Sequence, residues 1–213
     1  MKIYFTFLLV LISIACWSQT DTLASARHTT YERHSTMATA SLGFVDFYRQ
    51  YYTLPKAFSK TNTAGFVPVY LKLEYGLWKN ISLAATMSYD AFTYNFKQGY
   101  IGNNGPFTRY RSDNARIISG GVTAFYHLGR FVSVRHLDPF VGVGISINNI
   151  RYSAYPQGDS TLTKYDHTVT PYLKAGARYY ISSRFSLFGD VGYDQQSVFS
   201  IGASCRFFGR RKM

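Results

Sequence analysis

The chain has 213 residues, a formal net charge of +12, few charged residues (16%) and many aromatic ones (18%). That length makes one domain once a leader is removed. Beyond residue 18 no apolar run is long enough for a membrane-spanning helix, so a chain that crosses lipid must do so as a closed barrel, the other structure that satisfies its own backbone there.

The first element is a leader. Met1-Lys2 is positively charged, Ile3 to Ala15 is almost wholly apolar, and Cys16-Trp17-Ser18 offers small residues ahead of a cut before Gln19. Residues 1–18 therefore read as a secretory signal peptide. Cys16 is also a possible lipid acceptor, although the leucine expected upstream of it is missing. Residues 19–35 read as a periplasmic N-terminal segment. His28, Glu32 and His34 lie in it without metal-ligand spacing, and no metal or cofactor is assigned anywhere in the chain.

Residues 36–208 read as an all-β, eight-stranded antiparallel transmembrane β-barrel, an up-and-down meander, followed by a basic tail at 209–213. The predicted strands are Met37 to Tyr48, Phe66 to Lys79, Ile81 to Phe96, Ala115 to Leu128, Pro139 to Tyr152, Tyr172 to Ile181, Phe185 to Asp194 and Val198 to Phe208. The last three alternate most clearly. Leu173, Ala175, Ala177, Tyr179 and Ile181 oppose Lys174, Gly176 and Arg178, and the next two strands repeat the pattern. Strands of about ten residues, tilted by about 45°, cross a bilayer. The first and fourth strands alternate weakly, and their register stays open. Pro68 falls near a strand start, where a missing amide donor matters least.

The connections alternate too. Those at Gln50–Ala64, Gln98–Asn114 and Ser153–Asp166 are long and polar, while Lys79-Asn80 and Ser182–Arg184 are tight. Gly129–Leu137 is longer than a tight turn, and Gln195–Ser197 is short although it belongs to the long-loop end. Long loops at one end and short turns at the other place the short end, with both termini, in the periplasm.

By alternation Lys72, Glu74, Asp90, Lys174, Arg178, Asp190 and Arg206 point into the lumen. An eight-stranded lumen is just wide enough for its own side chains, and charges there must pair. The expectation is an ion-pair network that plugs the barrel, with Asp190 between Arg178 and Arg206; a narrow polar conduit is the alternative. Trp78, Tyr126, Phe140, Tyr180, Phe185, Phe207 and Phe208 mark the periplasmic strand ends, and Phe47, Phe66, Tyr94, Tyr152 and Tyr193 the outer ones, as a girdle of interface aromatics does. Arg49, Lys56, Lys60, Lys97, Arg109, Arg111, Arg151 and Lys164 surround the outer loops, where anionic lipid phosphates attract cations. Export and the strand pattern exclude nucleic acid as the partner of this basic charge. Cys205 is the single cysteine beyond the leader and reads as a small apolar side chain without a disulfide.

Three segments, Pro171–Tyr179, Arg184–Leu187 and Ser200–Phe208, carry a family resemblance. The chain resembles the small outer-membrane β-barrel proteins of Gram-negative bacteria, the OmpA/OmpX-like group, and in particular the outer membrane protein beta-barrel domain chains common in Bacteroidetes. The resemblance spans nearly the whole exported chain, but it is a pattern that specifies a fold and no activity. It implies insertion by the barrel-assembly machinery. Family barrels often end on an aromatic residue, whereas here Gly209–Met213 follow Phe208.

The expected role is non-enzymatic and structural or interactive: envelope integrity, binding of a protein through the outer loops, or a subunit of an outer-membrane complex. The alternatives are a narrow, porin-like pore, a lipid-modifying barrel enzyme, and a secreted lipocalin-like binder. A barrel hydrolase of the lipid-modifying kind needs His, Ser and a carboxylate on its outer rim. Only His167, beside Asp166 and Thr168, stands near an outer strand end, and no His-x-Ser pair lies on a strand.

Overall fold

The computed structural model describes residues 34–45, 59–102, 105–132, 134, 136–155, 165–194 and 196–208. The leader, almost all of 19–35, the basic tail and much of the first and third long connections lie outside the described residues. So do the expectations placed there, including those on Cys16, Phe47, Arg49, Lys56 and Lys164.

Nine β-segments form one antiparallel sheet: β1 Thr36–Phe44, β2 Ser59–Gly65, β3 Val69–Gly76, β4 Ile81–Gly102, β5 Gly105–His127, β6 Leu137–Tyr155, β7 Tyr165–Tyr180, β8 Phe185–Tyr193 and β9 Phe199–Phe208. β2 and β3 both pair with β4 and are two halves of one stave. The break between them holds Pro68, which has no amide to give to a ladder, while its carbonyl accepts the Gly43 N–H at 2.7 Å. Counted by staves, this is an eight-stranded closed barrel, because β4 pairs with β5 and β1 with β9. The fold class read from alternation is the observed one.

The lengths of the staves differ from expectation. The first long connection contains β2. The second is no loop at all: β4 and β5 pair from Ile81↔Tyr126 to Gly102↔Gly105, so Gln98–Asn114 is the top of a hairpin. β6 and β7 likewise run on to Arg151↔Tyr165. Alternation reports a strand only while one face must be apolar. Above that level both faces are polar, the pattern fades, and the backbone ladder continues unseen.

Side chains sort by parity around the whole barrel. Leu71, Leu73, Met87, Val122, Val143, Ile145, Leu173, Leu187, Val191 and Ile201 are exposed on the outside. Lys72, Glu74, Asp90, Lys174, Arg178 and Asp190 are buried within. The inside of this protein is polar and its outside apolar, the inverse of a water-soluble domain. The apolar band runs from Tyr126 to Ile118 on β5 and from Val141 to Ile147 on β6, a height of roughly 20–25 Å. β5 and β1 thereby acquire the register that alternation left open, with Ile117, Phe125, Met37 and Thr39 inward.

Thr36 pairs with Phe208, so both ends of the barrel sequence lie beside the tight turns. In these turns Leu77 and Trp78 donate to the Ile81 carbonyl at 3.0 and 3.1 Å, and Ile181 and Ser182 to that of Phe185 at 3.0 and 3.2 Å. The longer connection after β5 forms a 3-10 turn over Gly129–Phe131.

Parity corrects part of the aromatic girdle. Trp78, Tyr126, Phe207, Phe66 and Tyr193 are exposed and Phe185 is half-buried. Phe140, Tyr180 and Tyr94 are each only 1% exposed and face the interior, and Tyr152 packs against buried Phe92, Tyr94, Ala115, Ile117 and Ile150. Position near a strand end does not decide which face a ring takes; the odd or even count along the strand does. The Phe208 side chain lies outside the described set. Cys205 is buried as expected, 2% exposed, but it is disulfide-bonded rather than a free thiol. The chain's other cysteine is Cys16, outside the described residues.

Candidate functional site

The lumen is filled in three tiers. At the short-turn end, β3 brings Glu74, β4 Ser82, β5 His127, β6 Asp138 and β7 Arg178 to one point, all buried. Arg178 grips Glu74 with both terminal nitrogens, Nη1 donating to Oε1 at 3.2 Å and Nη2 to Oε2. Ser82 donates to Glu74 Oε1 at 2.6 Å. The two nitrogens of His127 face Glu74 Oε1 at 3.1 Å and Asp138 Oδ2 at 2.9 Å. Fork-to-fork Arg–carboxylate geometry, with Ser82 and His127 also on the same carboxylate, is what keeps buried charges tolerable.

Ser82, His127 and Asp138 also trace the outline of a hydrolytic triad, with Ser82 Oγ 3.0 Å from His127 Nε2. Two features interrupt it. The serine proton is directed to Glu74 rather than to the imidazole, and Nε2 itself faces that carboxylate. Ser82, at 0% exposure, leaves no room for a substrate carbonyl.

Midway, Lys72 from β3 lies among aromatic rings, its Nζ 4.5 Å from the centre of Phe125, 5.0 Å from Phe188 and 5.7 Å from Phe140. Gly142 on β6 makes this possible, since a Cβ there would run into the Phe125 ring. The same alternation of cation and ring runs along the lumen. Arg206 stacks on Tyr180 at 5.1 Å, Arg178 on Phe140 at 5.0 Å, and Lys174 lies over Tyr70 at 5.1 Å and Tyr172 at 5.8 Å. Each such contact contributes about 0.5–2 kcal/mol. A gap of about 30 Å³ remains beside Ser41, Tyr70, Thr86 and Tyr172, room for roughly one water.

At the long-loop end the short last connection folds inward as a stopper. Asp194 Oδ1 accepts the amides of Gln196 at 2.9 Å and Ser197 at 2.7 Å, a side-chain-capped turn. Lys174 ties this turn down through Asp194 at 2.7 Å and reaches Asp190 at 3.3 Å. Gln196, 1% exposed, donates to Ser119, which donates to Asn148; Asn148 in turn donates to Thr170 at 2.8 Å. Tyr70 donates to Ser197 at 2.8 Å.

The structure thus brings Glu74 to Arg178 and Asp190 to Lys174. It does not place Asp190 between Arg178 and Arg206. Asp190 faces Ser200 across β9, whose hydroxyl donates to it at 2.5 Å. Arg206 lies six residues further along β9, roughly 20 Å away. Asp90 is buried on β4 toward the long-loop end. Sequence reasoning missed His127, Asp138, Ser82, Asp194 and Gln196. His127 shares the inward parity of Phe125, a signal that needed the register of β5. Among the described residues no His, Cys, Asp and Glu group is arranged to hold a metal. The Asp166 and His167 side chains lie outside the described set.

No family model and no curated protein matches the chain. Among solved structures similar to it are three natural barrels. The N-terminal β-barrel domain of Pseudomonas aeruginosa OprF has 16% identity over 83% of this chain and 99% of that one, with a TM-score of 0.43. Ail, the attachment invasion locus protein of Yersinia pestis, has 11% identity over 83% and 99%, TM-score 0.45. The E. coli outer membrane protein W has 14% identity over 83% and 100%, TM-score 0.44. Identity and superposition are both low, and the closed barrel rests on its own strand pairing.

Proposed function

We propose that this protein is an integral outer-membrane β-barrel without enzymatic activity, sealed along its axis, whose role is structural or interactive. The observation that carries the reading is the inverted distribution of polarity: an unbroken apolar exterior around a lumen packed with paired charge. That exterior argues for lipid as the surrounding solvent and against a secreted lipocalin-like binder. Three tiers of packed side chains argue against a conduit. Burial of Ser82 argues against hydrolysis at the one Ser–His–Asp arrangement among the described residues.

In this reading the short-turn end and both termini face the periplasm, and the barrel-assembly machinery inserts the chain. The extended staves β2, β4, β5, β6 and β7 then stand outside the cell. Among the described residues the ladders leave two open edges there: β2 pairs only with β4, and β7 above Leu173 pairs only with β6. Such edges add a strand from another chain readily, which supports a protein partner at the outer end.

Gel mobility of boiled and unboiled protein from washed outer membranes tests the reading. A band that shifts on boiling and resists carbonate extraction is expected, together with silence in planar-bilayer recordings. A soluble protein without a shift overturns the membrane assignment, and steady conductance overturns the sealed lumen.

A further inference from the structure

We propose that Arg206, with Ser186 and Ser204, forms a binding site for a small oxyanion, a carboxylate or a phosphate, at the short-turn mouth of the lumen. The site adds to the membrane reading above, which decides only that the periplasm supplies the anion. Arg206 is half-buried near the end of β9, and its amide donates to the Arg184 carbonyl of the adjacent tight turn at 2.8 Å. Its guanidinium lies 5.1 Å from the centre of the Tyr180 ring. Stacking of this kind occupies a face of the guanidinium and leaves the N–H bonds on its edges.

Two of those edge donors, Nε and Nη2, are buried and have no hydrogen-bond partner. They belong to the same edge of the guanidinium, and their N–H bonds run parallel. This is the fork that two oxygens of one carboxylate or phosphate accept. A water molecule brings a single oxygen and no charge. The hydroxyls around the fork extend it. Ser186 on β8 is 0% exposed and pairs with Ser204 on β9, 1% exposed. Ser186 Oγ is buried without a hydrogen-bond partner. Ser204 accepts from Thr39 at 2.8 Å, which leaves its own proton to give. Cross-strand partners have Cβ atoms about 5 Å apart, and Arg206 is the next residue of the same parity after Ser204, so the three form one patch of donors. The nearest carboxylates are directed elsewhere. β1 sets Met37 between Arg206 and Glu74, and Glu74 is gripped by Arg178. Asp138 stands across the ladder from Arg178 and faces His127.

The test uses the full protein in phosphatidylcholine nanodiscs, where both mouths meet solvent. Arginine Nε–H signals are followed by NMR as sodium acetate, phosphate or chloride is added, and the Arg206 signal is identified by its loss in Arg206→Lys. A saturable shift of that signal by acetate or phosphate at millimolar concentration is expected, with none from chloride at equal ionic strength; the oxyanion with the lower midpoint identifies the group the site takes. Arg206→Lys, followed through the Ser186 amide, keeps the charge but loses the fork and should bind about tenfold more weakly. Ser186→Ala should bind about two- to tenfold more weakly. Arg116→Gln, exposed on β5 toward the long-loop end, should bind as wild type does. Absence of a saturable shift with either oxyanion overturns the site and assigns the fork to buried water. An equal response to chloride overturns two-oxygen recognition. If Arg206→Lys does not fold, Ser186→Ala decides, and unchanged affinity in it overturns the patch. Absence of the heat shift in wild type refutes the membrane reading itself, a result distinct from failure of the site.

Discussion

At the scale of single residues, Glu74 holds the inner tier together. One carboxylate accepts from Arg178, Ser82 and His127 in a region closed to solvent. Its removal takes from the buried Arg178 guanidinium the carboxylate that it grips with both terminal nitrogens. Glu74→Ala should therefore destabilise the barrel by about 3–5 kcal/mol, read as a lower urea midpoint for loss of the heat-modifiable band. Glu74→Met combined with Arg178→Met should recover most of that loss, because an apolar pair of similar size has no charge to strand. Recovery of none of it would mean that His127 and Asp138, not the ion pair, dominate the tier. Parity was legible for these residues from sequence, since Glu74, Arg178 and Asp190 alternate with apolar neighbours. Their partners were not: Asp190 reaches Lys174 because register and the inward fold of the last connection put them together.

At the scale of elements, two short features govern the lumen. The first is the connection 194–198, which the sequence shows only as an anomalously short outer loop. Its inward fold depends on Asp194, which caps two amides and holds Lys174. Asp194→Ala should release the stopper, and intermittent conductance bursts in planar bilayers are expected where wild type is silent; continued silence would assign the seal to the aromatic tier alone. The second is the pairing of Gly142 with Phe125. Gly142→Val drives a branched side chain into the Phe125 ring, and overpacking of this kind costs about 1–3 kcal/mol. Thermal loss of the folded band should come at lower temperature, and Phe125→Ala in the same chain should restore part of it. The tall β4–β5 hairpin was read as a loop for a physical reason already evident in its composition: outside the apolar band nothing forces a strand to alternate.

At the scale of the whole molecule, the fold is a band of apolar side chains stretched around a closed ladder. The lipid reading makes a depth-dependent prediction. Ile145→Arg, in the middle of the band on β6, should cost about 2–4 kcal/mol, while Ser153→Arg, on the same outward face above the band, should cost at most about 1 kcal/mol. Unfolding midpoints in phospholipid vesicles measure both. Equal costs would mean that the exterior does not sit in hydrocarbon.

Alternation by itself determined that the chain is an eight-stave barrel, which face of each clear strand is polar, and that Lys72, Glu74, Lys174 and Arg178 look inward, because a two-residue period is a local property of backbone geometry. Tertiary structure alone decided the rest. Which charge meets which, that Phe140, Tyr180 and Tyr94 line the interior, that Asp194, Gln196 and Ser197 fold inward at the long-loop end, and that Arg116 stands across from Arg151 all depend on register between strands distant in sequence. Register is a property of pairs of strands, and a one-residue slip, invisible to any single strand, exchanges inside for outside.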